Sequence, residues 1–259
     1  MSGTASRGPG ELRLPSTGPD PIGLDTALEA VLGYARARRP WRFRSPGEPA
    51  GRWVSLPAFG WTRFDAVRAG RDGAEGGDEI LLGEALHGRL DRAHWDLVHD
   101  ALLRARPLAE AATARAAGRP FWELGDDELS VLGEPGTVGA ALREVGRAAG
   151  EHLGHVTAAL HHRHPQLVPH LTTTTRRHLL PHVEEGDSGV EAVVHRELRA
   201  NATAFAQLEK AVAELLDDAP PTRLRLHDLL LWLVTTLRAT HAVEAGRATE
   251  EAHRPRPWA

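Results

Sequence analysis

Residues 138–160 read Val-Gly-Ala-Ala-Leu-Arg-Glu-Val-Gly-Arg-Ala-Ala-Gly-Glu-His-Leu-Gly-His-Val-Thr-Ala-Ala-Leu, and this stretch decides the fold class. Val138, Leu142, Val145, Ala149, Leu153, Val156 and Leu160 recur every three or four residues, the repeat of one face of an α-helix. Read straight through, they make one continuous buried stripe of about six turns.

Toward the C-terminus the same period continues. Val194, Leu198, Asn201, Phe205, Leu208, Val212 and Leu215 form a second stripe whose one polar member, Asn201, is either a buried hydrogen-bonding residue or a rotation of the stripe. A third helix is expected over Leu224–Val243. It is apolar nearly all round from Leu226 to Val234, which marks it as the central core helix, and Asp228 and Arg238 make it a poor membrane span.

Toward the N-terminus the signals shorten. Asp91 caps a helix with Trp95, Val98 and Leu102 facing inward, Pro107 starts another, and Gly118 ends it. A short helix is expected over Glu79–Leu86, and a longer one over Asp25–Arg38 with Asp25 as its N-cap. Trp41–Gly77 is irregular, with one unpartnered strand candidate at Trp53–Leu56 and a Gly/Asp-rich turn at Arg71–Asp78. The expectation is a mainly α protein, a single helical domain with a less regular N-terminal region. Residues 1–22 form a disordered leader and 23–247 the domain. Its irregular basic part is 23–77 and its helical core 78–247, with 248–259 a flexible tail.

Composition narrows the chemistry. With no cysteine among 259 residues, disulfides, thiolate metal sites and a cysteine nucleophile are excluded. Lys210 is the one lysine, so a Schiff base or a P-loop lysine would have to use it. No apolar run approaches the length of a membrane span, and the leader lacks the apolar core of a signal peptide. A cytoplasmic protein with no membrane association is expected. Gly-x-Ser-x-Gly, Walker and dinucleotide motifs do not occur.

Three segments taken together resemble a known family. They are Phe-Gly-Trp-Thr-Arg-Phe-Asp at 59–65, His-His-Arg-His-Pro-Gln-Leu-Val-Pro-His-Leu-Thr at 161–172, and Leu-Arg-Leu-His-Asp-Leu-Leu-Leu-Trp-Leu at 224–233. Their order and spacing are similar to the bacterial family known as domain of unknown function 6308, over about residues 40–243. Leu224, Arg225, Asp228, Leu231 and Trp232 match its last segment, and Pro165, Leu167 and Pro169 match its middle one. Thr172 departs, standing where the family carries an acid. His162 and His164 depart as well, at positions usually Arg or Lys. The resemblance implies the fold outline and brings no activity with it.

Four groups of residues are candidates for function. The first is basic. Tyr34–Arg71 holds nine Arg against Glu48 and Asp65, a local charge of +7 in a chain of net charge -4. Its centre is Arg36, Arg38, Arg39, Arg42 and Arg44, with Trp41 and Phe43 interleaved. Guanidinium groups pair with phosphates and aromatic faces stack on bases, as weak nucleic-acid or other polyanion binding requires. The commoner use of such arginines is pairing with the acidic body and covering apolar surface with their stems. The second is histidine, fifteen in all, nine of them between His152 and His195. His152, His155 and His162 share a helix flank, His161 and His164 are neighbours, and His178 and His182 lie close to Glu184 and Glu185. No paired ligand motif accompanies them, so no metal and no cofactor are expected.

The third is Arg225, His227 and Asp228, a possible buried polar site at the start of the most apolar helix. Asp228 is expected to be buried, meeting Arg225 or loop backbone amides. The fourth is Thr172–Thr175, an N-cap for a helix over about Thr174–Leu180 and, with Arg176 and Arg177, a weak phosphate-site candidate.

Function is not legible as a reaction. The best reading is a non-catalytic binding or interaction module for an anionic partner. The alternative is an enzyme with a His/Asp site between the C-terminal helices, and a pocket joining Asp228, Arg225 and two or more His would favour it.

Overall fold

The computed structural model describes residues 10–67, 76–130, 136–216 and 220–253. The protein is mainly α-helical, as the periodicity predicts. In chain order the elements are β1 (Glu11–Leu12), β2 (Ile22–Gly23), α1 (Leu24–Arg36), β3 (Arg38–Ser45), β4 (Glu48–Pro57), α2 (Gly76–His87) and α3 (Arg92–Ala116). Then come α4 (Val138–Ala149), α5 (Leu153–Arg163), α6 (Thr173–Leu179), α7 (Val190–Ala200), α8 (Ala202–Leu215), α9 (Arg223–Thr235) and α10 (Ala239–His253). Among the described residues no helix is long and apolar enough to cross a membrane.

Helix α9 is the core element. Leu224, Leu226, Leu229, Leu230, Leu231 and Leu233 are all buried, on every side of the helix. Helices α1, α6, α7, α8 and α10 pack on it; elsewhere α3 packs on α4 and α2 on α5, and α1 also packs on α10. The α1–α10 pair is unusually close. A Cβ on Gly33 would lie 1.8 Å from the carbonyl of Ala242, and one on Gly246 would lie 2.0 Å from that of Glu29. Only glycine permits two helix backbones to touch at these positions.

Several helix boundaries differ from expectation, each for a local reason. The 138–160 stripe is buried throughout, yet the helix breaks at Gly150, whose φ of 54° and ψ of -127° no helix accommodates. The stripe survives because α5 continues on the same side of the core. Pro107 does not start a helix. It lies inside the 25-residue α3, where buried Ala101, Ala105, Ala109 and Ala112 hold both halves against their neighbours. The expected third helix is two, α9 and α10, separated at Leu237, which has a left-handed φ of 57°. Asp25 is in the first turn of α1 but is not its cap, since Gly23 holds that position without a side-chain bond. Asp91 does cap α3, accepting the His94 amide at 2.9 Å.

The terminal assignments also change. The leader expected over 1–22 is ordered from Gly10 onward, while residues 1–9 lie outside the described residues. Leu12 and Leu14 are buried, and β1 pairs with β2. The expected tail is helical through His253, and residues 254–259 lie outside the described residues. The expected turn at Arg71–Asp78 falls largely on residues 68–75, also outside them. The described residues of part 23–77 are more regular than expected. They hold α1 and an antiparallel hairpin, β3–β4, in which the strand candidate Trp53–Leu56 finds its partner in Arg39–Arg42.

Candidate functional site

The basic segment becomes the first strand of the hairpin. Alternation along a strand sends successive side chains to opposite faces. The register places Arg39, Trp41 and Phe43 opposite Leu56, Val54 and Arg52, and places Arg38, Pro40 and Arg42 opposite Pro57, Ser55 and Trp53. Residues 38–44 are exposed on both faces, with Trp41 at 51%, Phe43 at 46% and Trp53 at 69%. The guanidinium of Arg39 stands 5.7 Å from the Trp41 ring centre, Arg42 6.0 Å from Trp53, and Arg52 5.8 Å from Phe43. Arg38 also donates to the Ser55 hydroxyl and carbonyl, and Arg42 Nε to the Ala50 carbonyl at 3.0 Å. Arg36 does not join this group. It ends α1 and donates to the Leu215 carbonyl.

Arg38, Arg39, Arg42, Arg44 and Arg52 form no ion pair with any carboxylate among the residues whose side chains are described, a set that does not include Glu48. In the helical body Arg106 meets Glu79, Arg119 meets Glu128, Arg196 meets Asp187 and Arg223 meets Glu209. What sets the hairpin apart is the clustering: five guanidinium groups stand on one exposed element, three of them against exposed aromatic rings.

Where the hairpin joins the body lies a second polar group, centred on Arg225. Arg225 does not bond Asp228, as its spacing suggested. Its Nε donates to Asp65 Oδ1 at 2.6 Å, Nη2 donates to Asp65 Oδ2 and to the Tyr34 hydroxyl, and Nη1 lies 3.1 Å from His170 Nδ1. Tyr34 donates to Asp65 at 3.1 Å, and Arg225 covers the Phe64 ring. Burial works against the Arg225 charge, but Asp65 outweighs it and the pKa is raised. Burial, reinforced by Asp65, holds the Tyr34 phenol protonated.

Hydrogen-bond logic orders the histidines beyond Arg225. A guanidinium only donates, so His170 accepts at Nδ1 and carries its proton on Nε2. That proton is donated to His87 Nε2, 2.9 Å away, which leaves the His87 proton on Nδ1; the backbone of Gly154 hydrogen-bonds the same ring. Both rings are neutral. Burial, then the charge of Arg225, drives His170 well below its ordinary value. Burial, with His155 and Arg225 adding to it, lowers His87 to about 4. These side chains and Trp232 border a cavity of about 40 Å³, room for a water or two rather than for a substrate.

Asp228 lies behind this cavity. It is buried, and its Oδ2 accepts the His170 amide at 3.0 Å. Burial raises its pKa to about 7 against the opposing influence of Arg225 and His227. The backbone-amide role foreseen for it is the one observed. His227 belongs to a different group. Its Nε2 meets Glu197 at 2.7 Å, and Glu197 also accepts the Ser16 amide and hydroxyl, both at 2.8 Å. Burial would raise the Glu197 pKa, but His227 and Ser16 outweigh it and the pKa is lowered. Asn201 completes the anchor, bonding both the amide and the carbonyl of Arg13. The polar member of the second stripe is thus a buried hydrogen-bonding residue that fastens the N-terminal segment.

Several of the remaining histidines bond backbone carbonyls. His161 bonds Val168 at 2.7 Å, His195 bonds Leu124 at 2.9 Å, and His162 bonds Val67 at 3.0 Å. Burial lowers His161 to about 3. Among the described residues no three His, Asp or Glu side chains are placed to hold a metal ion. The threonine run is a reciprocal cap. Thr172 accepts the Thr175 amide at 3.0 Å, and Thr175 accepts the Thr172 amide at 2.8 Å. Those two hydroxyls are occupied within the turn.

Sequence reading missed Tyr34, Asp65 and His170 as partners of Arg225, His87 as the partner of His170, and Glu197 as the partner of His227. Two faint signals existed. Tyr34 is the only tyrosine, and Asp65 is one of two acids in the basic stretch.

No protein-family model, no curated protein and no solved structure matches this chain.

Proposed function

We propose that this protein is a non-catalytic binding module that takes an anionic polymer on the β3–β4 hairpin, in a cytoplasmic setting. One observation carries the reading: Arg38, Arg39, Arg42, Arg44 and Arg52 display their charge together on an element exposed on both faces, interleaved with the exposed rings of Trp41, Phe43 and Trp53. An exposed guanidinium that already stacks on an aromatic ring loses little freedom when it meets a phosphate. The body is acidic, since the chain totals -4 while Tyr34–Arg71 contributes +7. Affinity therefore comes from the hairpin alone and is weak and steeply salt-dependent.

The test is a titration of inorganic polyphosphate and of a short labelled oligonucleotide at low and moderate salt. Wild type is compared with an Arg38/Arg39/Arg42→Ala variant. The variant should bind more weakly, with a salt slope smaller by about 2 for single-stranded ligand. Its melting temperature should match wild type, because the three side chains are exposed. Equal affinity in the two proteins, or no binding even at low salt, removes the proposal.

A second reading, an enzyme, is favoured by a different observation. Arg225, His87 and His170 border one cavity, and Asp228 is one hydrogen bond behind them. Against it, the cavity is about 40 Å³, and its polar side chains are engaged with one another. A screen of chromogenic phosphate esters, acyl esters and glycosides decides. Turnover lost in His170→Ala would establish the enzyme, and the module reading expects none.

A further inference from the structure

We infer that the anionic polymer is single-stranded nucleic acid, and that its bases seat on one face of the hairpin, the face of Trp41 and Phe43. This rests on the polyanion reading above and names its substrate class.

The two faces differ in a way that charge alone does not require. On one, Trp41 and Phe43 are two residues apart on the same strand, flanked by Arg39 and by the cross-strand Arg52. On the other stands a single aromatic ring, Trp53, with Arg38 and Arg42. Alternate side chains of a strand are about 6.6 Å apart, roughly twice the 3.4 Å rise per nucleotide along one strand of a duplex. A single strand with its bases unstacked spans that distance in one nucleotide, whereas a paired, stacked strand cannot. Two successive bases of an extended strand therefore meet Trp41 and Phe43 in step.

The guanidinium positions complete the arrangement. Each ring has one guanidinium at its face, Arg39 at Trp41 and Arg52 at Phe43, and each ring is half exposed. A base that takes the remaining face lies in an arginine–ring–base stack, with the arginines beside its phosphates. Inorganic polyphosphate would satisfy only the arginines and leave the rings in water. Duplex DNA would add phosphate charge against the acidic body while withholding its base faces. Stacking accepts any base, so no sequence preference is expected.

The experiment uses the full chain and three ligands: a labelled oligothymidylate, a duplex of the same length and inorganic polyphosphate. Phosphatidylglycerol vesicles serve as the membrane alternative. Trp41→Ala/Phe43→Ala should lose at least about tenfold in affinity for oligothymidylate and keep its polyphosphate affinity. Trp53→Ala should stay within about threefold of wild type, although Trp53 is the most exposed of the three rings. Trp41→Phe/Phe43→Tyr should retain binding, which separates lost stacking from a disturbed hairpin. The inference is overturned if the double alanine variant binds oligothymidylate like wild type, if duplex binds as tightly as the single strand, or if only vesicle binding depends on Trp41 and Phe43. Those outcomes leave polyanion binding standing wherever the arginine variant still loses affinity. Absence of binding to all ligands removes both.

Discussion

Arg225 Nε lies 2.6 Å from Asp65 Oδ1, across 160 residues of sequence, with side-chain exposures of only 5% and 3%. The pair ties the central helix α9 to the segment that follows the hairpin. Tyr34 bonds both partners, so α1 joins the same knot. Removing one member of such a pair leaves a buried charge without compensation.

Asp65→Ala is therefore expected to destabilise the fold by about 3–5 kcal/mol. Asp65→Asn, which still accepts from Arg225, should cost less. Urea unfolding measures both. Midpoints equal to wild type would show that the ion pair does not hold α9 in place.

Asp228 has a gentler expectation. Its direct partner is the His170 amide rather than a buried cation, so Asp228→Ala should cost about 1–3 kcal/mol, the penalty of an unsatisfied backbone donor. Asp228→Asn keeps an acceptor and removes a disfavoured charge. Its folded pKa, near 7, is above the unfolded 3.8, so the folded state holds the proton more tightly and stability declines as pH rises between those values. The Asn variant should lack this decline and be the more stable protein above pH 7. A variant less stable than Asp228→Ala would contradict the assignment.

The neutral histidines give the opposite slope. His87 falls from 6.5 to about 4 and His161 from 6.5 to about 3 in the folded state, and His170 moves the same way. Below pH 6.5 the unfolded chain takes up protons that the folded chain refuses, so stability falls as pH drops from 6.5 toward 4. His87 alone accounts for roughly 3 kcal/mol over that span. His155, His164 and His195 are lowered as well, and against these six histidines stand the raised Asp228 and Glu191, so the net effect is acid destabilisation. Melting temperatures at pH 7 and pH 5 should differ by many degrees, and a flat profile would mean that these rings are hydrated.

Leu230 is buried in the middle of α9. Leu230→Ala should destabilise by about 2–5 kcal/mol. A melt within a degree of wild type would make α9 peripheral.

Residues 138–160 show what local sequence conveys. Burial follows apolar spacing, because a helix presents every third or fourth side chain to the same neighbour. The break at Gly150 does not, since the spacing reads identically through a bend that keeps both halves on the core. Pro107 misleads for the converse reason. A proline usually ends a helix, yet packing on both sides of this one keeps α3 continuous. The hairpin was half legible: the interleaving of Arg36–Arg44 with Trp41 and Phe43 was plain, whereas the partner strand is recognised only through its register.

The sequence by itself determined the mainly α class, the core residues of the long helices except Leu215, which ends its stripe exposed, the capping of α3 and α6, and the basic, aromatic character of residues 36–44. Each depends on neighbours within about two helical turns. Tertiary structure alone decided which charges are spent. Arg225 takes Asp65 rather than its helical neighbour Asp228, His227 turns to Glu197 and the N-terminal segment, and the hairpin arginines Arg39, Arg42 and Arg52 stand against aromatic rings. An ion pair forms where packing brings two side chains together out of water, and sequence distance carries no record of that.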